Sequence, residues 1–381
     1  MKQLLIVLPS YRWGGDATAL YNLLNRLDTE QFKVDLFPLI DEGPYRERYT
    51  NCTLLRSSDV LEALLKRKQG SIWRHSIRSI VVKAVNRLSR GRFLTATYRR
   101  LGRKLTRKTR YDAVIAWTEW DPTAFVAQIP HTYKVAWIHC DYTFNRHAEN
   151  DIENYRRMDR IVLVSSFCKN QFLGCYPELK DKIYVSHNIL DIPLILEKSK
   201  APIDDFPVGT GFSILSFGRI APGKRFSHIP QIAAAIRQAG IPFHWTIMGP
   251  DQHPDELELI RTKIDEYKVQ DSVEYIGVRS NPYPYIKAAD LVVNTSASES
   301  QSLALVEASL LGTPTINADF KVAYEVIVDG REGLIVPLEV MADTIVRFFK
   351  DEGLRNEIRD NLKSFHYSDE DSLREFKNLF A

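Results

Sequence analysis

Two glutamates eight residues apart, Glu299 and Glu307, and two cations, Arg219 and Lys224, are the residues whose types and spacing could do chemistry in this chain. A planar guanidinium fork and a mobile ammonium together suit a diphosphate. Asp290 to Asn294 reads as a short buried strand, and Leu303 to Leu311 as a helix closed by Gly312 and Pro314, so Glu299 falls in the strand-to-helix loop. Such loops, at the carboxyl ends of parallel strands and at helix N-termini, are where α/β sheets bind anions. Glu299 would border an anion site at the free amides of the loop and helix start, and Glu307 would be free to accept hydrogen bonds from hydroxyls such as a ribose diol. The alternative is a loop carboxylate and a helix carboxylate that simply face water. A glycosidase pair is excluded, because carboxylates on one element do not flank a bond from opposite sides.

The elements that must position these groups form two series. Gln3 to Leu8 is a strand, Gly14-Gly15-Asp16 a turn that lets backbone approach a ligand, and an apolar-periodic helix follows through Leu27. The turn lacks the full Gly-x-Gly-x-x-Gly pattern, which argues against a nicotinamide enzyme. Further strands are expected at 33–38, 51–55, 112–116, 134–138, 160–164 and 182–186, with His139 directly after its strand, at the carboxyl end. A polar, proline-bearing stretch at 199–210 reads as an interdomain linker, and after it strands are expected at 212–217, 243–248, 272–276, 290–294, 314–317 and 333–336. Gly218-Arg219-Ile-Ala-Pro-Gly223-Lys224 closes the first of these. The pattern predicts two doubly wound, Rossmann-like α/β domains facing a cleft, over residues 1–198 and 211–365, with a last helix over 366–381 crossing back onto the first.

At 381 residues, 44% hydrophobic and 26% charged, the chain has room for both. Four scattered cysteines show neither metal-ligand spacing nor a disulfide framework, and no run of 18 apolar residues or signal-peptide pattern occurs, so an intracellular protein is expected. The net charge of +3 hides an asymmetry: Ala63 to Tyr111 holds 16 Lys and Arg and no Asp or Glu, leaving the remainder acidic. Ile77, Ile80, Val81, Ala84, Val85 and Leu88 recur at helical spacing among Arg74, Arg78, Lys83 and Arg87. After Gly91 a second segment repeats the design, with Leu94, Tyr98, Leu101 and Leu105 among Arg99, Arg100, Arg103 and Lys104. An anionic membrane surface, a merely solvated face and nucleic acid are the readings of this block. Nothing else in the chain resembles a nucleic-acid module, and no nucleic-acid partner is expected.

Asn294 to Pro314 resembles the Glu-x7-Glu signature of the retaining family 4 glycosyltransferases of the GT-B fold, including the Glu307-Ala308 pair and Gly312-x-Pro314. Gly218-Arg219 with Lys224 resembles that family's Gly-Arg-x(n)-Lys segment, Pro284 to Asp290 its short helix, and His187-Asn188 to Asp191 its hinge-side motif, though Leu190 stands near a usual small residue. Ser300-Gln301-Ser302 replaces the frequent Gly-Phe-Gly and could narrow a sugar pocket. The resemblance covers nearly the whole chain except the basic block.

What the resemblance implies is transfer of a sugar, with retention, from a nucleotide diphosphate donor, by default a UDP-sugar, without metal or cofactor. Arg219 and Lys224 would neutralise the diphosphate beside Gly218 and the amides near Ser302 and Leu303. Glu307 would hold the ribose, Glu299 and His139 the sugar, and Gly14-Gly15 would border acceptor and phosphates. The charge count of the basic block, rather than the resemblance, adds the expectation of a peripheral enzyme of the cytoplasmic membrane face that extends a membrane-associated or polyprenyl-diphosphate-linked glycan in surface polysaccharide assembly. A soluble acceptor and a catalytically idle membrane-binding partner are the alternatives.

Overall fold

The computed structural model describes residues 1–66, 77–142, 148–207 and 211–380. Its chain divides into two compact units, Met1–Leu190 with Glu370–Ala381, and Asp191–Asp369.

The first unit is built on a parallel sheet of seven strands: β1 (Lys2–Leu8), β2 (Phe32–Pro38), β3 (Thr53–Leu54), β4 (Ala113–Ala116), β5 (Tyr133–Ile138), β6 (Arg160–Leu163) and β7 (Ile183–Val185). Their order is β3-β2-β1-β4-β5-β6-β7. Leu4 to Leu8 and Ala113 to Ala116 are almost wholly buried, as continuous apolar runs must be in a sheet covered on both faces. The order reverses between β1 and β4, which leaves a crevice at their carboxyl ends where no helix crosses. Helix α1 (Gly15–Arg26) starts there, directly after the Gly-Gly turn.

The basic block supplies two helices beyond α2 (Asp59–Leu65): α3 (Ile77–Leu88) and α4 (Arg92–Lys108). They were expected to share one design, and the structure separates them. Tyr98 and Gly102 of α4 are buried, Leu94, Leu101 and Leu105 pack on the core of the first unit, and a Cβ added to Gly102 would stand 2.8 Å from Ile129 Cγ1. The apolar stripe of α4 is therefore core.

The last helix, Asp369–Asn378, belongs to this unit. Phe376 is fully buried, with its ring centroid 6.0 Å from Phe32 and 5.8 Å from Trp137, and Glu375 accepts the His187 amide at 2.9 Å.

The second unit carries a parallel sheet of β8 (Phe212–Phe217), β9 (Phe243–Met248), β10 (Val273–Gly277), β11 (Leu291–Asn294), β12 (Thr315–Ala318) and β13 (Leu334–Val336), in the order β10-β9-β8-β11-β12-β13. Its reversal lies between β8 and β11. The loops carrying Arg219-Lys224 and Glu299 follow these two strands.

The first unit ends at Leu190 rather than at 198, and the stretch expected to be a linker is tied down as far as it is described. The helix Ile192–Lys198 is anchored where Asn281 Nδ2 donates to the Lys198 carbonyl at 2.9 Å. Asp205 takes an ion pair from Arg279 at 2.5 Å and a hydrogen bond from the Tyr285 hydroxyl at 2.5 Å. The remainder of that stretch, 208–210, lies outside the described residues.

Candidate functional site

In the second unit, the neighbouring strands β8 and β11 deliver two loops to one place. Gly218 leaves β8 with φ +140°, and Gly249, after β9, has φ +149° and passes so close that an added Cβ would stand 1.8 Å from the Gly218 carbonyl oxygen. Only glycine fits there. Lys224 folds back over Gly218, its ammonium 3.9 Å from where a Cβ would stand. Its Nζ donates to Glu299 Oε1 at 2.5 Å, and Ser296 Oγ donates to the same oxygen at 2.7 Å. The pair is mostly withdrawn from water, with 23% of the lysine side chain and 13% of the glutamate exposed. These are not freely solvated surface charges.

A residue missed by the sequence reading holds the loops together. Arg225, at φ +54°, donates from its guanidinium to the carbonyls of Thr295 and Ser296 at 2.7 and 2.8 Å. Thr295 Oγ1 returns a bond to the Lys224 carbonyl at 2.7 Å, and the Ala297 amide donates to Gly223 at 2.9 Å. A left-handed backbone at a non-glycine residue is costly and persists only where the surroundings fix it. Its only sequence signal was a third cation beside Lys224. Arg225→Ala is expected to destabilise the second unit by about 1–3 kcal/mol, because two carbonyls lose a charged donor; chemical denaturation reads this, and an unchanged midpoint would remove the staple. Arg219 is exposed, one residue past Gly218.

Ser302 is buried at the start of the helix Leu303–Leu310 and makes no side-chain cap to it, although Asn294 Nδ2 reaches its Oγ at 3.3 Å. Gln301 does not project freely into a sugar pocket: its Nε2 donates to the Tyr367 hydroxyl at 2.8 Å. Glu307 departs from expectation too. It is buried rather than open, takes a hydrogen bond from the Tyr283 side chain, and burial pushes its carboxyl up to about 8. That rules out a helix carboxylate facing water.

The first unit assembles its own cluster at the β1/β4 reversal. Trp117, just past β4, donates from its indole to the Asp16 carbonyl at 2.8 Å and lies with its ring 5.1 Å from that of His139. It thus joins the Gly14-Gly15 turn to the histidine. The helix start at Gly14 has no side-chain cap, and a Cβ on Gly15 would meet nothing within 4 Å. His139 hydrogen-bonds the Trp117 backbone, and burial depresses its pKa to about 3, so the ring is neutral. Its buried Nε2 has no partner among the described residues and is an acceptor in waiting. Glu119 was not singled out from sequence. It is buried, with its pKa raised chiefly by that burial, and it accepts the His139 amide at 3.1 Å.

The basic residues separate. Lys83 is half-buried, and its Nζ donates to the Lys66 carbonyl at 2.7 Å. Arg87, Arg99, Arg100, Arg103 and Lys104 are exposed, with Arg99 also reaching Gln128 at 3.3 Å. Arg74 and the side chain of Arg78 lie outside the described residues. No helix among the described residues is long and apolar enough to cross a membrane.

Comparison with known proteins agrees with this geometry. Residues 204–365 match the model of the glycosyl transferases group 1, and residues 13–193 that of glycosyltransferase family 4. The amylovoran biosynthesis glycosyltransferase AmsD of Erwinia amylovora is 25% identical over 183 residues, 48% of this chain and 49% of its own. The lipopolysaccharide core biosynthesis glycosyltransferase LpsE of Rhizobium meliloti is 25% identical over 185 residues, 47% of this chain and 51% of its own. The chain thus spans about half the length of these relatives. HepE of Anabaena, solved with UDP-glucose, superposes at a TM-score of 0.75 with 17% identity, covering 100% of this chain and 99% of its own, which shows the fold. With two parallel Rossmann-like sheets and both models matched in consecutive halves, the chain belongs to the family 4 glycosyltransferases of the GT-B fold.

Proposed function

We propose that the protein transfers a sugar, with retention at the anomeric carbon, from a nucleotide diphosphate sugar to a membrane-associated glycan or polyprenyl-diphosphate-linked acceptor in surface polysaccharide assembly. The observation that carries the donor half is the Lys224–Glu299 pair beside Gly218, at an uncapped helix start. Donor binding would exchange partners. Lys224 would turn from the carboxylate to the diphosphate, joined by Arg219 and the amides near Ser302 and Leu303, and Glu299 would be released to the sugar hydroxyls. Glu307 would take the ribose in place of Tyr283, and the vacant Nε2 of His139 would accept from a sugar hydroxyl. Stabilising charge on the leaving diphosphate by two preorganised cations is electrostatic catalysis that requires neither metal nor cofactor. A UDP-sugar is the donor favoured by the HepE complex, and a role in polysaccharide assembly by the names of AmsD and LpsE. The exposed cations of α4 favour an anionic acceptor, held at the cytoplasmic membrane face.

A panel of nucleotide sugars, scored by thermal stabilisation and slow hydrolysis, tests this. One donor should raise the melting temperature and release its diphosphate, with the α-anomer of an α-linked donor retained in the first-formed product by NMR. Turnover should persist in EDTA. Loss with chelator and rescue by manganese, or an inverted product, would sink the mechanism.

A further inference from the structure

The two basic helices were designed alike in sequence, yet only α4 buries its apolar stripe. On α3, Leu88 is 85% exposed, Ile80 57%, Val81 52% and Val85 40%, and Ala84 is exposed between them. At 3.6 residues per turn these five fall within one arc of about 140°. α2 packs on the other side, where Ser79 Oγ donates to the Ala63 carbonyl at 3.1 Å and Lys83 to that of Lys66. Arg87 is exposed at the edge of the arc. Among the described residues nothing covers this contiguous apolar helix face, which lies in a stretch holding 16 cations and no acid.

At the end of α3 the chain turns through Arg90 and Gly91, both at positive φ, into α4. A concavity of about 340 Å³ opens there, lined by Arg90, Gly91, Arg92, Thr95, Ala96 and Arg99. The first-turn amides of α4 do not serve it: those of Arg92, Phe93 and Leu94 donate to the Ser89 carbonyl, Ser89 Oγ and Asn86 Oδ1. Three arginines are among its lining residues, and guanidiniums are a donor type suited to a phosphate group.

We propose that the α3–α4 hairpin docks on an anionic phospholipid bilayer, with the exposed arc of α3 entering the boundary between headgroups and acyl chains while Arg90, Arg92 and Arg99 hold a lipid phosphate. The apolar arc and the cations point to one partner only when taken together. Nucleic acid satisfies the charge and offers nothing to the arc, and a second copy of this chain would bring like charge to like. A bilayer surface supplies both phases within the depth of one helix. The proposal rests on the reading of a membrane-associated acceptor, and it assigns the contact to α3 and the turn rather than to the apolar stripe of α4.

Flotation of the full chain tests it, with vesicles of phosphatidylcholine alone and of phosphatidylcholine with phosphatidylglycerol. The protein should float with the second and leave it as salt rises. Val81→Ser with Leu88→Ser should weaken partitioning by about tenfold or more. Arg90→Gln, Arg92→Gln and Arg99→Gln combined should weaken it by about a hundredfold. Melting temperatures should stay unchanged, since the substituted side chains are exposed. Failure of the wild type to float, equal flotation of the Val81/Leu88 variant, or a vesicle-free dimer that the Leu88 substitution dissolves would overturn the docking. Stabilisation by the preferred nucleotide sugar, read on the same preparations, is independent of these outcomes and reports on the transfer reading alone.

Discussion

Lys224→Ala is expected to lower sugar transfer by roughly 100- to 1000-fold, the usual cost of deleting one preorganised electrostatic donor from a largely dehydrated site. The side chain is three-quarters withdrawn from solvent and lies over Gly218, where a diphosphate approaching the Arg219 loop would meet it. Its loss also removes one of the two side chains seen to donate to Glu299 Oε1, leaving the Ser296 hydroxyl, so the carboxylate is held less firmly for the sugar. Arg219→Ala should fall in the same range, although its side chain is exposed, because on the proposed reading it would act on the same leaving group. Glu299→Gln separates the two halves of the exchange: without its anionic partner Lys224 is released early, so donor affinity holds or improves while turnover drops. Single-turnover rates with saturating donor measure this directly. Wild-type turnover in either alanine variant would withdraw that residue from the diphosphate site.

Glu307→Gln is expected to raise the stability of the ligand-free protein and weaken its hold on nucleotide. Burial lifts the folded-state carboxyl from 4.5 to about 8, so between those values the folded protein binds more protons than the unfolded chain. The stability contributed by this group is thus complete below about pH 4.5 and is lost as pH rises through about 8. Glutamine keeps the neutral shape and the Tyr283 contact at every pH. The two proteins should melt together near pH 5 and diverge steadily towards pH 8, where, at about 1.4 kcal/mol per pKa unit, several kcal/mol favour the variant. Binding runs the other way. If ribose hydroxyls donate to an ionised Glu307, nucleotide diphosphate binding must release a proton near neutral pH, and the glutamine variant should bind about tenfold or more weakly with no release. Calorimetry in buffers of different ionisation enthalpy reads both. Equal affinity in the two proteins would remove the ribose role.

Much of the scaffold was legible because its signals are local. Continuous apolar runs such as Leu4 to Leu8 and Ala113 to Ala116 bury both faces of a parallel strand, and their edges matched the observed strands to within a residue or two. Glycines and prolines punctuated the turns, and the run from Glu299 to Pro314 carried enough residues at fixed spacing to name the family. The basic block was legible as a charge imbalance. Its fate was not, since periodicity reports that a helix has an apolar face and says nothing of what covers it. Ile129 and the core beneath it take the stripe of α4 and leave that of α3 in water.

What the sequence by itself determined about this protein is therefore the two βα series, the residue types at the ends of their strands, and the family those residues belong to. Tertiary structure alone decided which of those residues meet. Lys224 and Glu299 are 75 positions apart, and they touch because β8 and β11 are neighbours at the reversal of the strand order. Gly14-Gly15 and His139 share Trp117 because β4, which ends just before Trp117, lies between β1 and β5 in the sheet. Arg225, Glu119 and Tyr283 entered the sites only through these juxtapositions. The reason is physical: a strand or a helix is specified by contacts within a few residues, whereas the pairing of loops follows from the sheet order, and that is fixed by burying both faces of each sheet at once.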